Sequence, residues 1–235
     1  MKRLTAALLT CGIVAGAMLP TVLWIDGATR PGYSLWHHGA SQLGLGERAG
    51  LQTGNFVLGG ILVVGFAIGV RRVLQSGRGA TWGPAQLAAA GIGLVVAGIV
   101  PTNPALGYPP GEPSVVTPGS VVHQVAGLFL FGGLSGAAFV LAPRLRTASR
   151  SWATYTRISG LLIIIFAIAA GIAYRLDAQG IWQPAPAGLL EHLSLLAGFG
   201  WLIAIGIYLH RNGTVLPPRH PRERHSKDCR STASS

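Results

Sequence analysis

The sequence predicts an all-α polytopic membrane protein, a bundle of six transmembrane helices with both termini in the cytoplasm. Half of its 235 residues are hydrophobic and only 11% are charged, which is too few charges to cover the surface of a soluble domain. Six apolar windows each reach about 20 residues, the length that crosses a bilayer core as a helix. Basic residues cluster in alternate connections between the windows, and this gives the expected orientation.

Each window should be helical, because backbone N–H and C=O groups in hydrocarbon must pair within their own segment. The predicted spans are Leu4–Ile25, Leu51–Val73, Gly83–Val100, Ser120–Leu141, Ala153–Tyr174 and Gly188–His210. The first span follows two basic residues, as a signal peptide would. It is longer than the roughly 7–15 residues of a signal-peptide core, so we interpret it as a retained helix. Residues 1–211 therefore form the transmembrane domain, and the polar, basic residues 212–235 are expected to form a disordered cytoplasmic tail.

The net charge of +11 falls mainly on one side of the predicted membrane. The basic residues on that side, besides those of the tail, are Lys2, Arg3, Arg71, Arg72, Arg78, Arg144, Arg146, Arg150 and Arg157. The remaining connections hold only Arg30, Arg48 and Arg175. Cationic connections stay in the cytoplasm, which predicts a multi-pass protein of the cell membrane with both termini inside. This distribution argues against nucleic acid as a partner and indicates membrane lipids instead.

Small residues on the predicted helices indicate close helix packing. Three G-x-x-x-G pairs each place two glycines on one helix face, where they let backbones approach within lipid. These pairs are Gly12/Gly16, Gly65/Gly69 and Gly132/Gly136. They favour packing within one chain at least as well as dimerisation.

A few polar residues could carry chemistry. His38 and Ser41 lie three apart in the connection of residues 26–48, and helical spacing would place them on one face. His123 lies about one turn inside the fourth span, and Glu191 and His192 lie about one turn inside the sixth. Ionisable groups within a span usually face the bundle interior or a cavity. We therefore expect these residues, with the neighbouring His37, to meet in one outward-facing polar pocket. The alternatives are exposure to solvent or lipid headgroups for His37 and His38, a helix cap for Ser41, hydrogen bonds across helices for His123 and His192, and an ion pair of Glu191 with Arg175.

Several motifs give the chain a family resemblance. The connection of residues 26–48 holds Arg30-Pro31-Gly32-Tyr33, His38, Ser41-Gln42-Leu43 and Gly44/Gly46; later come Leu51-Gln52-Thr53-Gly54-Asn55-Phe56, Pro101-Thr102, Gly107-Tyr108-Pro109-Pro110-Gly111 and His123. In these motifs the chain resembles a family of six-helix bacterial membrane proteins grouped as domain of unknown function 998, over nearly all residues except the tail. The resemblance implies a six-helix fold and no assigned reaction.

Three positions depart from the pattern of that family. Asn103 and Gln124 stand where the family usually carries aspartates, and His192 stands where it usually carries an arginine. The resemblance therefore adds Asn103 and Gln124 to the candidate pocket. It also puts in doubt any activity that requires the two carboxylates.

Several functions stay open. The pocket could bind a lipid headgroup or a small polar molecule. Alternatively, His38, His123 and His192 could hold zinc for a membrane-embedded lipid hydrolase, or His123 and His192 could bind haem b or a quinone in electron transfer. No cofactor is assigned, and a secondary transporter ranks lowest because no internal repeat is evident.

The predicted orientation can be tested with reporter fusions. A reporter that is active only outside the cytoplasm should be inactive when it is fused after Asn212 and active when it is inserted within residues 101–113, because basic connections stay inside. Activity of the fusion after Asn212 would contradict the orientation.

Overall fold

A computed structural model describes residues 2–74, 76–146 and 149–212, and in these residues it contains six long helices, one short 3-10 helix at Ala40–Gly44 and no strand. The long helices are α1 (Arg3–Thr29), α2 (Ala49–Val73), α3 (Arg78–Ile99), α4 (Pro118–Leu145), α5 (Arg150–Ala178) and α6 (Ala187–Asn212). All six are long and apolar enough to cross a membrane. The predicted six-helix fold is therefore confirmed. The predicted tail, apart from Asn212, lies outside the described residues.

All six helices begin before their predicted spans, and four of them also end later, because hydropathy marks the hydrocarbon core while capping decides where a helix stops. The exceptions are α2, which ends at the predicted Val73, and α3, which ends one residue before the predicted Val100. At the start of α4, for example, the Thr117 hydroxyl accepts a hydrogen bond from the Ser120 N–H at 3.2 Å, and Pro118 occupies the first helical position. Such a cap satisfies a backbone donor that the helix itself leaves unpaired. The helix therefore starts two residues before the apolar window.

The six helices form a closed ring. Each helix packs against its neighbours in sequence, and α1 closes the ring by packing against α6. The largest fully buried side chains include Phe66, Phe199 and Trp201, and the Trp201 indole N–H donates to the Thr156 hydroxyl at 3.3 Å. An even number of antiparallel crossings leaves Arg3 and Asn212 at one end of the ring. The opposite end, which we call the capped end, carries loop one (residues 30–48), loop three (residues 100–117) and loop five (residues 179–186).

Glycines set the closest helix approaches. A Cβ atom on Gly60 of α2 would lie 2.5 Å from the carbonyl oxygen of Gly91 on α3, and one on Gly91 would lie 2.7 Å from that of Gly60. Two of the predicted G-x-x-x-G pairs pack within the chain: Gly12, Gly65 and Gly69 lie between α1 and α2, and Gly16 faces α6. In the third pair Gly136 contacts α3, whereas a Cβ on Gly132 would meet nothing within 4 Å. Small residues thus bring the backbones together where lipid supplies no hydrophobic drive.

Substitution of Gly60 by alanine should destabilise the bundle by about 1–3 kcal/mol, because a methyl group pressed against the Gly91 carbonyl forces the two backbones apart. The matched control is Gly54→Ala on the same helix, since Gly54 is exposed and a Cβ there meets nothing within 4 Å. Thermal unfolding in detergent measures both variants. Equal stability of the two would contradict the proposed close contact.

Candidate functional site

Arg30 fixes loop one to the end of α1. Its guanidinium donates to both oxygens of the Asp26 carboxylate, one turn earlier, and also to the carbonyl oxygens of Leu45 at 2.8 Å and Arg48 at 3.1 Å. The Asp26 and Arg30 side chains are almost completely buried, and Arg48 adds a second ion pair to Asp26 at 3.1 Å. Removal of one partner from a buried ion pair typically costs about 3–5 kcal/mol. This network therefore draws the beginning and the end of loop one together.

The Arg-Pro-Gly-Tyr motif of loop one meets the Gly-Tyr-Pro-Pro-Gly motif of loop three. Gly32 adopts a positive φ of +73°, and a Cβ there would lie 2.7 Å from Pro110, so glycine suits this position on two counts. The Tyr33 and Tyr108 rings pack edge to face, with centroids 5.3 Å apart. The Tyr33 hydroxyl donates to the carbonyl oxygens of His38 and Gly39. Burial raises the pKa of Tyr33, which favours this donating, neutral form.

His38 is part of this cap. Its Nδ1 accepts a hydrogen bond from the Ser34 N–H at 2.9 Å, so Nε2 carries the proton and donates to the Leu106 carbonyl oxygen at 3.1 Å. Burial lowers the pKa of His38, and the Leu106 hydrogen bond opposes that shift only in part. Both ring nitrogens are therefore occupied in joining loop one to loop three.

Further contacts join loop one to its neighbours. Gln42 donates to the Ala105 carbonyl oxygen at 2.6 Å in loop three. His37 lies 2.7 Å from a carboxylate oxygen of Asp177, and the Ala185 N–H donates to the same oxygen at 2.6 Å. The Leu189 N–H donates to the Trp36 carbonyl oxygen at 3.1 Å. Loop one is consequently fixed to loop three, to the end of α5 and to the start of α6.

Two cavities lie beneath and beside this cap. The lower cavity, about 710 Å³, lies between α4, α5 and the start of α6; the upper cavity, about 780 Å³, lies between loop three and the end of α5. The polar residues that line the mouth of the lower cavity include Ser41, Asn103, His123, Gln124, Arg175 and Glu191. Its deeper wall is apolar and is formed by Leu128, Phe131, Ile164, Ile168 and three glycines, Gly127, Gly132 and Gly171. The two cavities share Thr102, Asn103, Ala105, Gln124 and Tyr174.

Five of the eight candidate residues line the lower cavity: Ser41, Asn103, His123, Gln124 and Glu191. The Ser41 hydroxyl lies 3.5 Å from the Glu191 carboxylate. Asn103 donates to the Ser120 hydroxyl and accepts from the Thr117 hydroxyl, both at 2.9 Å, and so holds loop three against the start of α4. The Nδ1 atom of His123 lies 2.7 Å from the Val100 carbonyl oxygen and must donate to it, which leaves Nε2 as an acceptor.

The other three candidates lie elsewhere. His37 lines the upper cavity, where it contacts Asp177. His38 belongs to the cap, and His192 faces α1, where its ring meets Trp24 edge-on with centroids 6.0 Å apart and its Nδ1 lies 2.7 Å from the Gly188 carbonyl oxygen. Within the described ranges, no group of three or more His, Cys, Asp or Glu residues is arranged to hold a metal ion. The zinc and haem hypotheses stay predictions, which metal analysis and an absorption spectrum of the purified protein would test.

The sequence analysis missed three residues that organise this end of the bundle: Asp26, Gln42 and Asp177. The four-residue spacing of Asp26 and Arg30 could have indicated their ion pair, because such residues lie on one helix face. No local signal marks Asp177, whose partner His37 lies 140 residues away in sequence. Glu191 and Arg175 form no ion pair, although both line the lower cavity.

The stability of the cap should depend on pH through His38. The folded protein favours its neutral ring, whereas the unfolded chain takes up a proton near pH 6.5. The contribution of His38 to the free energy of unfolding is therefore fully present above about pH 6.5 and is lost as the pH falls towards the lowered pKa of the folded state. The loss is about 1.4 kcal/mol for each unit by which the pKa of the folded state lies below that of the unfolded state. Thermal unfolding between about pH 7.5 and pH 5 should show a smaller decline for His38→Gln than for the wild type.

The control for this experiment is His210→Gln, since His210 is exposed at the opposite end of the bundle. It should keep the pH dependence of the wild type. If the two variants respond alike, the stated role of His38 is wrong.

Comparison with known protein families identifies one family that matches this chain. The family described as "Protein of unknown function (DUF998)" matches residues 13–208, which span all six helices. Comparison with curated proteins and with solved structures gives no match. The match covers most of the sequence, in agreement with the motifs of loop one and loop three, and the chain therefore belongs to the DUF998 family.

Proposed function

We propose that this protein binds a membrane amphiphile, with the polar head at the mouth of the lower cavity and the apolar chain between α4 and α5. In this proposal the capped end faces the outside of the cell, as the basic residues predict. The observation that carries it is the continuity of a polar mouth with an apolar wall in one cavity. A small, fully polar ligand would bury none of the apolar wall, and a purely apolar ligand would leave the polar side chains at the mouth without hydrogen-bond partners.

The dimensions of the cavity suit a ligand that lies along the helices. The lining of α4 extends from His123 to Gly132 and that of α5 from Arg175 to Ile164. At 1.5 Å per helical residue, these distances are about 14 and 17 Å. The cavity thus extends from the interfacial level well into one leaflet.

The packing of α4 against α5 explains why the space exists. The two helices touch deeper in the bundle, where the Ser135 hydroxyl donates to the Gly160 carbonyl oxygen at 2.8 Å. Towards the capped end, a Cβ atom on Gly127, Gly132 or Gly171 would meet nothing within 4 Å. The helices therefore leave a wedge-shaped opening that narrows with depth.

The opening also faces the surface of the bundle. Leu128 and Ile168, which line the cavity, are 73% and 57% exposed. In a membrane these side chains would contact lipid tails. An acyl chain could therefore reach the cavity sideways from the bilayer without passing through water, while its head stays at the interface.

Filling the wedge tests the proposal. Gly127→Leu and Gly171→Leu should each weaken the affinity for phospholipid by about tenfold, a loss of ~1.4 kcal/mol in binding, because leucine occupies the space of the acyl chain. Native mass spectrometry of the detergent-purified protein would count bound lipids, and lipid-dependent thermal stabilisation would give relative affinities.

The matched control is Gly54→Leu, since Gly54 also has open space around it but lies on α2, outside the cavity. It should bind lipid as the wild type does. Lipid binding that survives both cavity substitutions, or the absence of any lipid binding to the wild type, would overturn the proposal.

A further inference from the structure

The mouth of the lower cavity contains one carboxylate and one guanidinium that do not neutralise each other. Glu191 lies in the first turns of α6 and Arg175 in the last turn of α5, and both line the cavity. They form no ion pair within 4 Å. An acidic and a basic side chain are therefore held at one cavity mouth, more than 4 Å apart.

Glu191 differs from the other carboxylates of the capped end that lie within helices. Asp26 is paired with Arg30 and Arg48, and Asp177 accepts from the Ala185 N–H and contacts His37. Glu191 has only neutral neighbours: the Ser41 hydroxyl at 3.5 Å and the backbone amides of Ala40 and Ser41. A carboxyl group with only neutral neighbours is costly to ionise at the edge of a membrane, and a cationic ligand group would supply the missing counter-charge.

Loop one holds this carboxylate in place. A Cβ on Gly39 would lie 2.5 Å from one of its oxygens, so the loop backbone passes directly over Glu191. The carboxylate is thus confined between the loop and the cavity. A carboxylate accepts about four hydrogen bonds, which leaves capacity for a donor within the cavity.

Arg175 has the properties of a phosphate ligand. Its side chain is exposed, and within the described ranges it makes no hydrogen bond or ion pair. A guanidinium offers several donors in a planar fork that matches a phosphate group. Its place in the last turn of α5 corresponds to the level of lipid headgroups.

We propose that the amphiphile is zwitterionic: its phosphate binds Arg175, and its primary ammonium binds Glu191 and the Ser41 hydroxyl. This assignment rests on the proposed function above and specifies its ligand. A primary ammonium has three N–H donors that these oxygen atoms can accept. A quaternary ammonium has no N–H donor and is usually held by several aromatic rings. Apart from Phe131 on the apolar wall, Tyr174 is the one Phe, Tyr or Trp residue among those that line this cavity, so the described lining offers no aromatic cage.

A lipid panel tests the assignment on the full-length protein in detergent. The probes are phosphatidylethanolamine, phosphatidylcholine and phosphatidylglycerol with identical acyl chains, which differ only in the group beyond the phosphate. Native mass spectrometry with competing lipids should show phosphatidylethanolamine bound about tenfold more tightly than either of the others. Equal binding of all three would overturn the zwitterion assignment and leave the proposed function intact.

Two substitutions separate the roles of the charges. Glu191→Gln should remove the preference for phosphatidylethanolamine while phosphatidylglycerol still binds, because only the ammonium contact is lost. Arg175→Gln should weaken all three lipids by a similar factor, because each carries a phosphate. The controls are Glu112→Gln in loop three and Arg150→Gln at the other end of the bundle, which lie outside the cavity lining and should change neither property.

The remaining outcomes are also decisive. If Glu191→Gln does not fold, the panel on the wild type and on the exposed Arg175→Gln variant still decides the assignment. A preference for phosphatidylethanolamine that persists in Glu191→Gln would contradict the role of that carboxylate. Failure of every lipid to bind the wild type would overturn the proposed function, and the zwitterion assignment with it.

Discussion

The buried ion pair between Asp26 and Arg30 is the interaction on which the capped end depends. Arg30 uses one guanidinium to satisfy the Asp26 carboxylate and two carbonyl oxygens at the far end of loop one. A polar loop of this length would otherwise have to leave those groups exposed or unpaired. Because the loop is closed at its base, Tyr33, His38 and Gln42 can reach fixed partners.

The glycines of this bundle serve two opposite purposes. At Gly60 and Gly91 the missing side chain lets two backbones meet, and the helices there could not come closer. At Gly127, Gly132 and Gly171 the missing side chain leaves space that nothing in the described structure fills. The same residue type therefore gives a tight contact between α2 and α3 and an open wedge between α4 and α5. The difference lies in which helix face each glycine occupies.

Polar side chains at the capped end divide into those that build the cap and those that remain available. His38, Asn103 and Gln42 direct their hydrogen bonds to loop backbone or to neighbouring side chains, so their role is structural. Glu191 and Arg175 line the lower cavity, and within the described residues neither of them forms an ion pair. A ligand that carries both charges would complete the site without leaving either one unpaired.

The sequence by itself determined the number of helices, their approximate ends and the depth of each polar residue along its own helix. These follow from hydrocarbon thickness and helical rise, which act on local segments. It also placed His123 and Glu191 at one level and grouped the loop residue Ser41 with them, and the structure brings these three to one cavity. The tertiary structure alone decided which way each side chain points. Glu191 and His192 are adjacent in sequence, yet one faces the cavity and the other faces Trp24 on α1. Successive helical residues differ by about 100° in direction. The surroundings of each side chain therefore depend on which helices lie on either side of α6. That arrangement is set by contacts between residues far apart in the chain.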